Sequence, residues 1–162
     1  MKLKLYLETS VFGFYFDKIT YNKEKRESTV KMFELIKESI YEGYISGVTL
    51  KEINNVPEKY QKDFLSLINK YNLEIIDYSD SDKENIEYLT NLLVSSKIVP
   101  EDMINDALHI SSYIFSSSNY LISWNCKHIT NAKVLREVKS LLLKEGINKN
   151  IEIYTPMEVM YG

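Results

Sequence analysis

Residues Leu3–Gly13 read LKLYLETSVFG. Leu3, Leu5 and Leu7 alternate with Lys4 and Tyr6, the period-two pattern of a strand. The run stops abruptly at Glu8-Thr9-Ser10, so an apolar strand ends in an acid and two hydroxyls. If that strand lies inside an α/β sheet, its polar end marks a functional edge, because such sheets gather ligands at the carboxyl ends of their strands. Whether the rest of the chain supplies such a sheet decides the fold.

It does, by alternation. Glu24 to Glu42 carries Val30, Phe33, Ile36 and Ile40 at near-helical spacing, with Gly43 as the expected stop. Tyr44 to Ser46 reads as a second strand and Thr49 to Asn54 as a short helix. Pro57 opens a helix to about Lys70, with Phe64, Leu65 and Ile68 inward. Leu73 to Ile76 is a third strand. Ser81 and Glu84 have capping-box spacing and start a helix to about Ser96. Pro100 starts another to about Ser116, Tyr120 to Ser123 is a fourth strand, and Ala132 to Glu145 is a helix stopped by Gly146. Ile151 to Tyr154 is a fifth strand, and Pro156 begins a terminal turn or helix. The expectation is one α/β domain over residues 1–162, with a mostly parallel sheet and helices on both faces.

Bulk properties narrow the function classes. A chain of 162 residues suits a single core. A net charge of −3 and a pI near 5.5 argue against a protein that coats DNA through a broad positive field. A nuclease stays open, since bound divalent ions supply positive charge locally. No apolar run is long enough for a membrane span. The first residues begin like a signal peptide, but Glu8 interrupts them and no small-residue cleavage site follows. With one cysteine there is no intramolecular disulfide, and a cytoplasmic protein is expected.

The chemistry-bearing residues stand at or near the expected strand ends. They are Glu8 after the first strand, Glu52 after the second, and Trp124-Asn125-Cys126 after the fourth. The helix before the fourth strand places Asp102, Asp106, His109 and Tyr113 on one face, beside an apolar stripe of Met103, Ala107, Ile110 and Ile114. Asp102 suits a first helical turn, where the dipole favours an acid, whereas Asp106 is expected beyond it. Glu8, Glu52 and Asp106 come from separate segments and could converge on magnesium or manganese, which take one or two carboxylates plus waters and phosphates. Such ions serve phosphodiester cleavage. Each acid also has a plainer reading: Thr49 and Glu52 have capping-box spacing, and Glu8 suits a solvated strand end. Cys126, His128 and His109 are too few for a zinc site, and there is neither a Walker A run nor a G-x-G-x-x-G. Lys133, Arg136 and Lys139, with Lys127 nearby, read either as a backbone-binding patch or as a solvated helix face. Trp124 either stacks on a base or packs under the strand end.

Tyr6-Leu7-Glu8-Thr9-Ser10-Val11-Phe12-Gly13, Thr49 to Ile53, Asn105-Asp106-Ala107-Leu108-His109-Ile110 and Leu121 to Ile129 together resemble the PIN-domain family of metal-dependent ribonucleases. The order and spacing fit across nearly the whole chain. The resemblance implies a three-layer sandwich with sheet order 3-2-1-4-5. It implies that Glu8, Glu52 and Asp106 fill the three acid positions, and that Asn125 stands where many members carry a fourth. Ser10 matches a hydroxyl that orders water or phosphate near the metal. The implied activity is Mg²⁺- or Mn²⁺-dependent cleavage of RNA. The implied partners are RNA and, for a small toxin-like member, an antitoxin whose tail blocks the site. A homodimer is a further expectation, from apolar surface at the long second helix. Glu8 is a methylene longer than the usual Asp, and Asn125 lacks its charge, which should weaken binding of a second cation. The alternative is therefore a PIN-like module with little or no activity that binds RNA or a protein partner.

Overall fold

The computed structural model describes residues 1–161. Five strands, β1 (Leu3–Leu7), β2 (Tyr41–Ile45), β3 (Glu74–Ile75), β4 (Tyr120–Ile122) and β5 (Ile153–Tyr154), form one sheet in the order β3-β2-β1-β4-β5. Every pairing is parallel. The helices are α1 (Ser10–Phe16), α2 (Lys23–Lys37), α3 (Gly47–Asn55), α4 (Glu58–Lys70), α5 (Asp80–Ser95), α6 (Ile104–Ile114), α7 (Ala132–Glu145) and α8 (Pro156–Tyr161). This is the α/β architecture and strand order that the resemblance implied.

Alternation along β1 builds two cores. Leu5 and Leu7 face one side and pack with Phe12, Phe33, Ile53 and Phe64 of α1–α4. Tyr6 faces the other and packs with Leu89, Ile110 and Val138 of α5–α7. All three β1 residues are fully buried, as expected for a central strand of a parallel sheet covered on both faces. Met32, Phe33 and Ile36 of α2 are buried within the chain, so that stripe is not free to receive a second copy.

Several expected boundaries move. α2 ends at Lys37 rather than continuing to Glu42, because Ser39 takes a left-handed φ of 62° and turns the chain into β2. Gly43 is not a helix stop. It lies inside β2, where a Cβ would come within 2.6 Å of Leu73 Cδ2. α5 starts earlier than Ser81, since Ser79 Oγ accepts the N–H of Asp82. Leu65 is exposed and Leu67 takes the inward place beside Phe64. The helix expected from Pro100 begins as a separate 3₁₀ turn over Glu101–Met103, which leaves Met103 out of the apolar stripe and exposed. Among the described residues no helix is long and apolar enough to cross a membrane.

Candidate functional site

The carboxyl ends of β1, β2 and β4 lie side by side and carry a web of acids, hydroxyls and imidazoles. Glu8 follows β1 and is buried. Its Oε2 accepts three bonds: from Ser10 N at 2.9 Å, Ser10 Oγ at 2.5 Å and Ser123 Oγ at 3.0 Å. Among the described residues Oε1 receives none. Ser123, the first residue after β4, thus reaches across to β1, and Glu8 N donates to Ile122 O. Adjacent parallel strands place these two strand ends together.

Glu52 projects from α3. The capping-box reading of Thr49 and Glu52 does not hold, because Thr49 lies inside α3 and its Oγ1 donates to Leu7 O, while Ser46 occupies the N-cap position. Glu52 Oε1 instead accepts from Thr9 Oγ1 at 2.8 Å and from His109 Nε2. Burial would raise the Glu52 pKa, but the His109 and Thr9 bonds outweigh it and the carboxyl is held below its ordinary value. His109 is fully buried on α6, and its Nδ1 lies 2.9 Å from Tyr6 OH, which is 2.6 Å from Ser46 Oγ. A carboxylate can only accept, so His109 donates from Nε2 to Glu52, while its Nδ1 shares a hydrogen bond with the Tyr6 hydroxyl. A continuous chain of hydrogen bonds thus links Ser46, Tyr6, His109 and Glu52. Burial also holds the Tyr6 phenol well above its ordinary pKa. At the far end Ser46 lines a cleft of 440 Å³ with Tyr78, Ile86, Leu108 and Ser112.

Asp106 sits in the first turn of α6, not beyond it, because the preceding turn is separate. Its Oδ2 pairs with His128 Nδ1 at 2.9 Å, with both side chains largely buried. His128 is therefore no bystander, and the shared helical face of Asp106 and His109 divides between two partners. Asn125 N donates to Ser123 Oγ, and its Oδ1 accepts His128 N at 3.0 Å. Ile129 N and Thr130 N both donate to Asn125 O, so this residue organises the whole turn that delivers His128. Asp102 is exposed, as is Cys126, whose Sγ accepts from Thr130 Oγ1 at 3.4 Å.

Lys127, Lys133 and Arg136 are all exposed, and no acid among the described residues pairs with them. Lys133 is the second residue of α7, in the turn just after the Asn131 cap that follows the Asn125 turn. Lys139 lies about 9 Å farther along the axis at ~1.5 Å per residue. There it lines a separate cleft with Leu142 and Ile147.

The donor set suits a hard divalent cation. Glu8, Glu52 and Asp106 are each anchored through one carboxylate oxygen, and the other oxygen has no protein partner among the described residues. Outer hydrogen bonds of this kind orient metal-bound carboxylates. No three acids, histidines or cysteines among the described residues are grouped closely enough to enclose an ion by themselves. A magnesium-type ion does not need that, since it keeps several waters and takes one or two carboxylates. The sequence places the hydroxyls of Thr9, Ser46 and Ser123 and both histidines near the acids, but the long-range bonds they make there are not legible from it. The only sequence signal for these groups was their place at strand ends and on the Asp106 helix face.

No family model matches this sequence, and no curated protein matches it. Solved structures do. One is the crystal structure of VapBC2 from Rickettsia felis bound to a DNA fragment from their promoter, a chain of which superposes with a TM-score of 0.60. The two are 18% identical, and the match covers 94% of this chain and 98% of that one. At this identity the likeness is one of fold, and function has to be argued from the site.

Proposed function

We propose that this chain is a metal-dependent endoribonuclease of the PIN type, acting in the cytoplasm as the toxin of a toxin–antitoxin pair. The observation that carries the reading is the set of three acids from three elements at one edge of the sheet, each tethered by one oxygen with the other left free. Glu8, Asp106 and Glu52 would hold Mg²⁺ or Mn²⁺, directly or through water. The bound ion would supply an activated water and neutralise charge on the phosphodiester. Ser10 and Ser123 fix the Glu8 carboxylate, and His109 and Thr9 fix Glu52. Asn125 shapes the turn that sets His128 on Asp106, and its amide nitrogen is free to meet water or phosphate. Exposed Lys127, Lys133 and Arg136 would meet the RNA backbone. The fold likeness to a VapBC2 structure supports an antitoxin as partner.

One observation favours the second reading, a weakly active or inactive module that binds RNA or a protein partner. Asp106, the third acid, is engaged by His128, and the fourth position is a neutral amide whose oxygen serves its own turn. Manganese titration by calorimetry, with RNA cleavage assayed in parallel, separates the two. The nuclease reading expects binding below millimolar concentration and cleavage that Asp106→Asn abolishes. Absence of binding up to millimolar manganese, or full cleavage by Asp106→Asn, refutes it.

A further inference from the structure

Beside the acids lies an aromatic and cationic surface that the proposed chemistry does not use. Phe14 on α1 and Trp124 after β4 have ring centroids 5.4 Å apart, inclined by 39°. Lys25 of α2 places Nζ 5.5 Å from the Phe14 centroid and 5.4 Å from that of Trp124. The indole is fixed from below: Nε1 donates to Thr29 Oγ1 at 2.8 Å, and that hydroxyl donates to Lys25 O. Its backbone is tied to the acids, since Trp124 N donates to Ser10 Oγ, which donates to Glu8 Oε2. Two bonds therefore separate the indole backbone from the Glu8 carboxylate. Lys25 is exposed and unpaired with any acid among the described residues, and both rings are only half-buried. Next to Phe14, a Cβ on Gly13 would meet nothing within 4 Å, so the space alongside is open.

We infer that Phe14, Trp124 and Lys25 form a subsite for one nucleotide of single-stranded RNA flanking the cleaved bond. The inference rests on the nuclease reading for its substrate class. A base takes the ring faces that Lys25 now covers, and the ammonium moves to the adjoining phosphate. Aromatic faces accept any base, and a lysine supplies the charge that the backbone requires, which is how single strands are held without sequence readout. A tryptophan that served packing alone would not need the exposed cation over its face.

Trp124 is the single tryptophan of the chain, so its emission reports this site alone. Wild-type protein in EDTA is titrated with a labelled oligouridylate, following tryptophan emission and label anisotropy together. The subsite predicts saturable quenching with the same midpoint as the anisotropy. It predicts that Phe14→Leu weakens binding at least about five-fold, and that Lys25→Gln lowers the salt slope by about one. An oligomer with an abasic position opposite the rings should bind more weakly. Oligomer binding with unchanged emission and wild-type behaviour of Lys25→Gln overturns the subsite, as does equal affinity for the abasic oligomer. Manganese-dependent cleavage with silent Trp124 removes the subsite and leaves the nuclease reading standing. Quenching without any cleavage supports the subsite and removes the nuclease reading.

Discussion

Tyr6→Phe isolates the buried chain behind Glu52. The substitution keeps the ring, which makes edge-on contacts with His109 at 5.9 Å and Tyr113 at 6.4 Å, so packing is preserved. It removes one hydroxyl that serves Ser46 Oγ at 2.6 Å and His109 Nδ1 at 2.9 Å. Both partners are buried, at 1% and 0% exposure, and His109, unlike Ser46, does not line the neighbouring cleft, so water does not replace the group lost to its Nδ1. A stranded buried polar group costs about 1–3 kcal/mol. Ser46 can rotate its hydroxyl toward another acceptor and falls at the low end, whereas the imidazole nitrogen cannot. The sum is about 2–4 kcal/mol, which for a chain of this size lowers Tm by roughly 5–15 °C. Urea unfolding of wild type and variant checks it, with equal m-values expected because the exposed surface is unchanged. Tyr60→Phe on exposed α4 serves as control and should lie within about 0.5 kcal/mol of wild type. A loss below about 0.5 kcal/mol for Tyr6→Phe, at unchanged m, would refute the view that this chain of bonds holds His109 and, through it, Glu52.

Three further outcomes are expected. Gly43→Ala forces a Cβ to 2.6 Å from Leu73 Cδ2 and 3.2 Å from Ile36 Cδ1, and should cost about 1–3 kcal/mol by urea unfolding; a neutral effect would mean that both side chains withdraw freely. Burial raises the pKa of Tyr6 and Tyr78 and pushes Tyr113 up to about 12, so these phenols stay protonated in the fold while the unfolded chain ionises near pH 10. Their contribution is complete below pH ~10 and is lost above it, at about 1.4 kcal/mol per pH unit for each; their tyrosinate absorbance should appear together with loss of helical circular dichroism, and absorbance of all tyrosines before unfolding would contradict the burial argument. Asn125→Asp keeps the oxygen that accepts His128 N and adds a charge, so manganese should bind about five-fold or more tightly by calorimetry; weaker binding by a folded variant would assign the amide a role of its own.

The order of the strands and of the longer helices was legible from their periodicity, and the parallel sheet followed from alternation, but the short helix α1 over Ser10–Phe16 was not foreseen. The errors fell where tertiary contact overrides local pattern. Ile40 continues the spacing of Phe33 and Ile36, yet it is 55% exposed, because the helix has already ended at the left-handed turn of Ser39. Gly43 looked like a stop signal, but its lack of a side chain serves the approach of Leu73 from the neighbouring segment, which no local rule reveals. Met103 fits the apolar stripe of α6 by spacing and fails because it belongs to the preceding 3₁₀ turn, whose twist differs.

At the site, the sequence places Glu8 and Glu52 near strand ends and Asp106 on the helix before β4, but the groups that orient them are not legible from it. Those bonds join residues far apart in sequence, such as Ser123 to Glu8 and His109 to Glu52. Asn125 shows what the contacts add. From sequence it is a missing acid, judged by the charge it lacks. In the fold, its side-chain oxygen and its backbone oxygen together accept three N–H groups and close the turn from residue 125 to 130. That turn fixes His128 against Asp106. Asparagine and aspartate build this turn equally well, since both offer the same oxygen. The choice between them therefore acts through charge and through the free amide donor, beside an acid that already has an imidazole partner. Aspartate would add a fourth carboxylate to this edge of the sheet. With asparagine, the neutral fourth position leaves Glu8, Glu52 and the free oxygen of Asp106 as the negative charge available to a cation.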